Sequence, residues 1–129
     1  MNKGFFELKI QDSNIYTAYT EGVFTETMYK NLIKKSESLI RNFKSEGYVM
    51  FIDARNFEGS TPEAYRMYDL HNKWINENSK LLAKAVVLND SVNVKIKKIH
   101  LKYIQEQNTK YFFSEKEAWD WLNGYINQS

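Results

Sequence analysis

The N-terminal segment alternates apolar and polar side chains in the way that a half-buried β-strand does. Phe6, Leu8 and Ile10 are separated by polar residues, and residues 15–20 form a second β-favouring run. The Asp-Ser-Asn sequence of residues 12–14, between the two runs, is typical of a turn. This arrangement predicts a β-hairpin at the start of the chain.

A helix and a fully buried strand are predicted next. Thr25 suits an N-cap, and the apolar residues from Met28 to Phe43 recur at spacings of three and four. Gly47 is expected to end this helix, because glycine tolerates the left-handed backbone that follows many helices. Residues 48–52 (YVMFI) are apolar on both faces, which is typical of a strand in the middle of a sheet covered on two sides.

Residues 53–63 lack a clear period and predict a loop that leads into a second helix. Two alternative start signals are present. Either Thr61 is the N-cap before a proline at the first helical position, or Ser60 is the first residue of a capping box. The helix carries an apolar stripe and is expected to end near Asn78.

The last third of the chain predicts a strand, a helix, a strand and a helix. Residues 84–88 predict a short buried strand, and residues 111–113 predict another strand. Between them, residues 90–103 carry one apolar face and favour a helix, although residues 92–96 also alternate as a strand does. A capping box at Ser114 opens the final helix.

The resulting order of elements, ββαβαβαβα, predicts an α/β fold. We expect a mixed sheet of about five strands, in which the N-terminal hairpin supplies an antiparallel strand and the helices pack on the sheet. The chain has 129 residues and no linker rich in Pro, Gly or Ser. One core fits this length, so residues 1–129 are expected to form a single domain.

Composition narrows the range of partners and locations. The chain has 18 basic and 16 acidic residues, and a formal charge of +2 does not indicate a nucleic-acid binder. It has no cysteine, which fits a reducing compartment. The longest apolar runs are strand-sized, far below the ~20 residues that a bilayer requires, and no signal peptide is evident. We therefore expect a cytoplasmic protein that has no nucleic-acid partner and no membrane span.

The sequence motifs of catalysis and cofactor binding are missing. The five glycines have neither P-loop nor dinucleotide spacing, and the two histidines lack a His or Cys partner at metal-ligand spacing. No serine lies in a recognised nucleophile motif. We therefore predict a non-enzymatic protein with no catalytic residues, no metal and no cofactor.

Two apolar side chains mark a candidate interface. Val94 and Leu101 fall opposite the apolar stripe of the predicted third helix. A helix that is apolar on two sides favours a second buried contact, with a protein partner or with a second copy in a homodimer. The alternative is that these are two isolated exposed side chains.

Three segments of the chain carry a resemblance to a known family. They are residues 48–64 (YVMFIDARNFEGSTPEA), 85–88 (AVVL) and 111–122 (YFFSEKEAWDWL). The last segment combines an aromatic strand, an acidic turn and an Ala-x-x-Trp-Leu ending. In these segments, and in the order of elements along nearly the whole chain, the protein resembles the SpoIIAA-like, or STAS/CRAL-TRIO-type, family of small bacterial domains.

The resemblance implies a regulatory role in protein–protein interaction. In the anti-sigma-factor antagonists of this fold, a partner kinase phosphorylates a serine at the start of the second helix and so switches binding off. Ser60 and Thr61 occupy the matching place, and Asp53 begins the same predicted loop. A phosphate there would lie at the positive end of a helix. The family's Asp-Ser-Ser-Gly sequence is absent, so plain helix caps are the other interpretation.

Other members of the family resemble carriers of lipids or small apolar ligands. That resemblance places a ligand between the sheet and the second and third helices, where Tyr68, His71 and Trp74 would line it. His71 also lies on the apolar stripe of its helix, so a packed imidazole is the alternative. We predict a non-enzymatic regulatory domain that acts by protein–protein interaction, with a carrier or sensor of a lipid or small apolar ligand as the alternative.

Overall fold

A five-stranded sheet with helices on both faces organises the computed structural model, which describes residues 3–44, 46–89 and 102–126. The strands are β1 (Phe5–Gln11), β2 (Ile15–Phe24), β3 (Gly47–Ser60), β4 (Lys80–Val87) and β5 (Thr109–Phe112). The helices are α1 (Glu26–Arg41), α2 (Pro62–Asn78) and α3 (Glu115–Ile126), and a short 3₁₀ turn covers Ile104–Glu106. The predicted α/β fold is confirmed.

The strand order in the sheet follows the chain, β1-β2-β3-β4-β5. The predicted hairpin is present, since β1 pairs antiparallel with β2. All other neighbours are parallel, and α1 and α2 are the crossovers of the β2–β3 and β3–β4 pairs. The sheet is therefore mixed, as predicted, and its antiparallel member lies at one edge.

The prediction of a loop at residues 53–63 is wrong for most of these residues, because strand β3 extends to Ser60. Ser60 still pairs with Phe24 of β2. The register between β2 and β3 shifts twice in this region, so the side chains lose strict alternation although Ala54 and Phe57 remain buried. The two shifts hid the strand from a search for a period of two.

Helix boundaries follow from their caps. Thr25 accepts a hydrogen bond from the Met28 amide, and Thr61 accepts one from the Ala64 amide at 3.2 Å. The second helix thus uses the Thr61 register rather than the Ser60 capping box. The expectation that Gly47 ends α1 is wrong: α1 ends at Arg41, and Gly47 is the first residue of β3.

The segment predicted as a third helix lies almost wholly outside the described residues. Val94 and Leu101, the candidate interface residues, also lie outside them. The described chain resumes at residue 102 and passes through the 3₁₀ turn into β5. The interface therefore stays a prediction.

Each face of the sheet has its own apolar core. On the face covered by α1 and α2, the core includes Phe24, Tyr29 and Phe57, whose rings meet edge to face. On the face covered by α3, Phe51 stacks on Trp119 with ring centroids 4.4 Å apart. Among the described residues, no helix is long and apolar enough to cross a membrane.

Candidate functional site

A cavity of about 140 Å³ lies between the sheet and helices α1 and α2. Its wall is mostly apolar, and all five strands, both helices and the 3₁₀ turn contribute to it. The residues that line it are Leu8, Tyr16, Ala18, Thr20, Tyr29, Leu32, Met50, Ile52, Ala54, Phe57, Tyr65, Tyr68, His71, Asn72, Ile75, Lys84, Val86, Ile104 and Tyr111. We call it the Lys84 cavity after the one lysine among its described lining residues. Protein cores contain few voids larger than a water molecule, so a space of this size is a feature to explain.

Small residues on the central strands create the space. Ala18 of β2 and Ala54 of β3 lie at the cavity wall, while the bulky rings of Tyr16, Tyr29 and Tyr68 surround it. An alanine in a core position leaves volume that a larger aliphatic side chain would fill. Small side chains on these two strands therefore leave a space between the sheet and the helices that cover it.

Lys84 is the most unusual side chain at this wall. It lies on β4 and is only 1% exposed. Its Nζ donates a hydrogen bond to Asn72 Oδ1 at 2.9 Å and lies 5.8 Å from the centroid of the Tyr68 ring. Burial disfavours the charged amine and lowers the pKa of Lys84 to about 7. Near neutral pH, the cavity therefore contains a lysine poised between its charged and neutral forms.

Asn72 is held in place to receive this lysine. Its Nδ2 donates to the Tyr68 carbonyl at 3.0 Å, so its Oδ1 is left to accept. Oδ1 accepts from Lys84 and also from Gln107 Nε2 at 3.1 Å. Because both ends of the amide are occupied, the orientation of Asn72 is fixed by the network.

A buried hydrogen-bond chain joins two residues of the wall through helix α1. Ser36 Oγ of α1 lies 2.9 Å from His71 Nε2 and 2.8 Å from the Tyr16 hydroxyl. Burial, and then the nearby charge of Lys84, lower the pKa of His71 to about 4. The imidazole is therefore neutral at physiological pH, and this chain links β2, α1 and α2 without a net charge.

The tyrosines of the wall are neutral as well. Burial raises the pKa of Tyr16, Tyr29 and Tyr68 well above the usual value of 10. Each hydroxyl can thus donate or accept a hydrogen bond but carries no charge near neutral pH. The described part of the wall combines apolar surface, several neutral hydroxyls and one amine.

Of the three residues predicted from the sequence to line a ligand, two lie at the cavity wall and one lies outside it. Tyr68 and His71 line the cavity. Trp74 does not line it but stacks on His71 with centroids 6.0 Å apart, and the Arg41 guanidinium lies 5.4 Å from the Trp74 ring on that outer side. Contact of any of the three with a ligand stays a prediction.

The proposed switch residues do not form one site. Asp53 is a strand residue, and the seven steps of β3 to Ser60 span about 20 Å. Asp53 binds Arg55 through two side-chain hydrogen bonds of 2.9 and 2.7 Å, and Arg55 also reaches Glu115 of α3. Burial alone would raise the pKa of Asp53, but the hydrogen bonds from Arg55 outweigh it and lower the pKa.

Thr61 acts as a helix cap in the structure, which gives a testable expectation. Thr61→Ala is expected to lower the free energy of unfolding by about 1 kcal/mol, because the Ala64 amide loses its acceptor. Denaturant unfolding measures this change, and Thr61→Ser, which keeps the hydroxyl, is the matched control. Equal stability of the alanine variant and the wild type would contradict the capping role. Phosphorylation of Ser60 or Thr61 stays a prediction.

The buried network around Lys84 was missed at the level of sequence. A signal was present, since Lys84 is the one charged residue inside the otherwise apolar run of residues 81–88. Ser36 gave only part of a signal: it lies on the apolar stripe of α1, four residues from both Leu32 and Ile40, whereas the exposed Ser38 does not, but the stripe does not identify its partners. Its two partners come from β2 and α2 and meet it only in the folded chain.

The comparisons with known proteins support the fold. No protein-family model matches the chain, and no curated protein matches it. Among solved structures, the chain is similar to an uncharacterized protein of the DUF3478 family from Shewanella loihica PV-4, described as having a SpoIIAA-like fold. The TM-score is 0.71 at 15% identity, over 92% of this chain and 93% of that one. The expected SpoIIAA-like fold is confirmed.

Proposed function

We propose that this protein is a non-enzymatic binding domain that senses or carries a small, mostly apolar ligand in the Lys84 cavity. The observation that carries the proposal is the cavity itself, an apolar space of about 140 Å³ that contains a few convergent polar groups. Ligand sites combine these two properties. The SpoIIAA-like fold and the resemblance of the sequence to STAS-type domains support a regulatory rather than a catalytic role for this binding.

The size of the cavity limits the ligand. A core cavity of about 150 Å³ holds one benzene molecule, whereas sites for drug-sized ligands reach about 300 Å³ or more. A single ring or a short branched chain therefore fits inside the cavity, whereas a complete lipid exceeds its volume. This favours the small apolar ligand over the lipid among the predicted partners.

Protein–protein interaction, the first prediction from the sequence, becomes the second candidate here, because the described structure supports it less. The large apolar side chains that are exposed in the described ranges are Phe5, Leu70, Tyr111 and Phe113. Phe5 lies on β1 and Tyr111 on β5, which are opposite edges of the sheet, so these side chains do not make one apolar patch. A cytoplasmic location also stays a prediction.

Fluorobenzene provides the test, because its fluorine signal in NMR reports binding directly. We expect saturable binding to the wild type and at least tenfold weaker binding to Ala54→Leu, whose larger side chain fills the cavity. Thr17→Leu is the matched control, since Thr17 lies on neighbouring β2 and faces the opposite side of the sheet. Its binding should equal that of the wild type.

Two results would contradict the proposal. One is the absence of saturable binding by fluorobenzene and by other single-ring compounds. The other is binding that Ala54→Leu leaves unchanged, because the ligand would then lie elsewhere. Thermal unfolding of the same variants shows that they are folded, and filling a void should leave Ala54→Leu at least as stable as Thr17→Leu.

A further inference from the structure

We propose that the Lys84 cavity selects small carboxylic acids with an apolar body of about one ring, bound with the carboxylate against the Lys84 amine. This inference rests on the proposed function, because it names the ligand class of the same cavity. It is carried by the position of Lys84, which is 1% exposed, lies at the wall and directs its Nζ to a network that uses only part of its hydrogen-bonding capacity.

The amine of Lys84 has room for an anionic partner. An ammonium group has three donors, and Asn72 Oδ1 accepts one of them. Within residues 3–44, 46–89 and 102–126, no carboxylate forms an ion pair with Lys84. A buried charge without a counter-charge is costly, and a carboxylate held by charge-assisted hydrogen bonds removes that cost. A bound carboxylate would therefore supply the counter-charge that the buried Lys84 amine lacks among the described residues.

The rest of the wall suits the remainder of such a ligand. Ala18, Ala54, Met50 and Val86 present apolar surface to a ring or a short branched chain. The hydroxyl of Tyr68 belongs to a neutral phenol and can donate to a carboxylate oxygen. A cation would meet the lysine as a like charge in a low-dielectric space, so the cavity discriminates between ligands by the sign of their charge.

The pH dependence of ligand binding distinguishes the contribution of Lys84 from the contributions of the other titratable groups at the cavity. Among the described residues, the other titratable groups at the cavity are His71, Tyr65 and Tyr68 of α2, Tyr16 of β2, Tyr29 of α1 and Tyr111 of β5. The pKa of His71 is lowered to about 4 and the pKa of every one of these tyrosines is raised, so none of them titrates between pH 6 and 9. Glu37 lies outside the wall, with Oε2 3.9 Å from His71 Nδ1.

The sign of the effect follows from the proton balance. Below pH 7 the lysine of the free protein is already charged, since burial sets the pKa of Lys84 at about 7. A carboxylate then binds without proton uptake. Above pH 7 each binding event must take up one proton, so the Kd of an acid is expected to rise about tenfold per pH unit. The Kd of a neutral ligand has no such rise.

Three compounds of nearly the same shape test the proposal: benzoate, benzamide and benzamidinium, which carry one negative charge, no charge and one positive charge. Their Kd values are measured by NMR titration between pH 6 and 9 for the wild type, Lys84→Met and Lys80→Met. Lys80 is the matched control, because it lies exposed on the same strand. At pH 6 we expect benzoate to bind at least tenfold more tightly than benzamide, and benzamidinium to bind most weakly.

In Lys84→Met the preference for benzoate should disappear while benzamide still binds, and in Lys80→Met the preference should persist. Equal affinities of benzoate and benzamide, or a benzoate Kd that does not change from pH 6 to 9, would overturn the inference. The wild-type pH profile decides the matter even if Lys84→Met fails to fold. If benzamide and fluorobenzene bind but benzoate does not, only this inference fails. If none of them binds, the proposed function fails with it.

Discussion

Replacing Lys84 with methionine is expected to raise the free energy of unfolding by about 4 kcal/mol at pH 6. Folding lowers the pKa of this lysine from 10.5 to about 7, and each unit of that difference costs about 1.4 kcal/mol when the group is charged in both states. The total is about 5 kcal/mol, from which about 1 kcal/mol is subtracted for the lost hydrogen bond to Asn72. Asn72 Oδ1 still accepts from Gln107 in the variant.

This stabilisation should fade as the pH rises. Between pH 7 and 10.5 the unfolded chain keeps the Lys84 proton and the folded chain has lost it, so the unfolded state binds more protons and the wild type gains stability with pH. Methionine has no proton to lose. The difference between the variant and the wild type is therefore expected to fall to about 1 kcal/mol at pH 9.

Urea unfolding of both proteins at several pH values between 6 and 9 measures this difference. Lys80→Met is the control, because Lys80 is exposed on the same strand and should change stability by less than about 0.5 kcal/mol at every pH. A stability difference that is the same at pH 6 and pH 9 would show that Lys84 keeps its ordinary pKa in the folded protein.

Ser36→Ala is expected to lower the free energy of unfolding by about 3 kcal/mol, a large effect for the loss of one oxygen atom. The Ser36 hydroxyl is 0% exposed and is shared by the Tyr16 hydroxyl and His71 Nε2. Its removal leaves two buried polar groups without this partner, and each such group costs about 1–3 kcal/mol. No apolar contact in the core is expected to compensate for them.

The matched control is Ser38→Ala, two residues further along the same helix and exposed. It includes the small gain in helix propensity that serine-to-alanine substitution brings, so the comparison isolates the buried hydrogen bonds. Denaturant unfolding at pH 7 gives both values. If the two variants differed by less than about 0.5 kcal/mol, the Tyr16–Ser36–His71 chain would contribute nothing measurable to stability.

The elements with a regular period were predictable from the sequence. The hairpin, the start of α1 at Thr25, a start of α2 at Ser60 or Thr61 and the buried strand at residues 48–52 all follow from local patterns and caps. The second half of β3 was not predictable, because its register shifts against β2 remove the alternation on which strand prediction depends. Prediction from local sequence patterns therefore failed where the backbone path of β3 depends on its pairing with β2.

The cavity was predictable only in part. The family resemblance implied that Tyr68, His71 and Trp74 line a ligand, and of these three Tyr68 and His71 reach the wall. Ser36 and Lys84 meet their partners across gaps of 35 and 12 residues in sequence, so no local pattern shows the contact. A lone lysine in an apolar strand is a usable signal in hindsight, since its amine must find a partner inside the core.

The three tryptophans are divided between the two layers of the molecule. Trp74 stacks on His71 directly behind the cavity wall, whereas Trp119 and Trp121 pack in the core under α3 on the opposite face of the sheet. Each layer therefore contains its own natural fluorophore. With Trp119 and Trp121 replaced by phenylalanine, tryptophan fluorescence would report on the cavity side of the sheet alone. With Trp74 replaced by phenylalanine instead, it would report only on the side covered by α3.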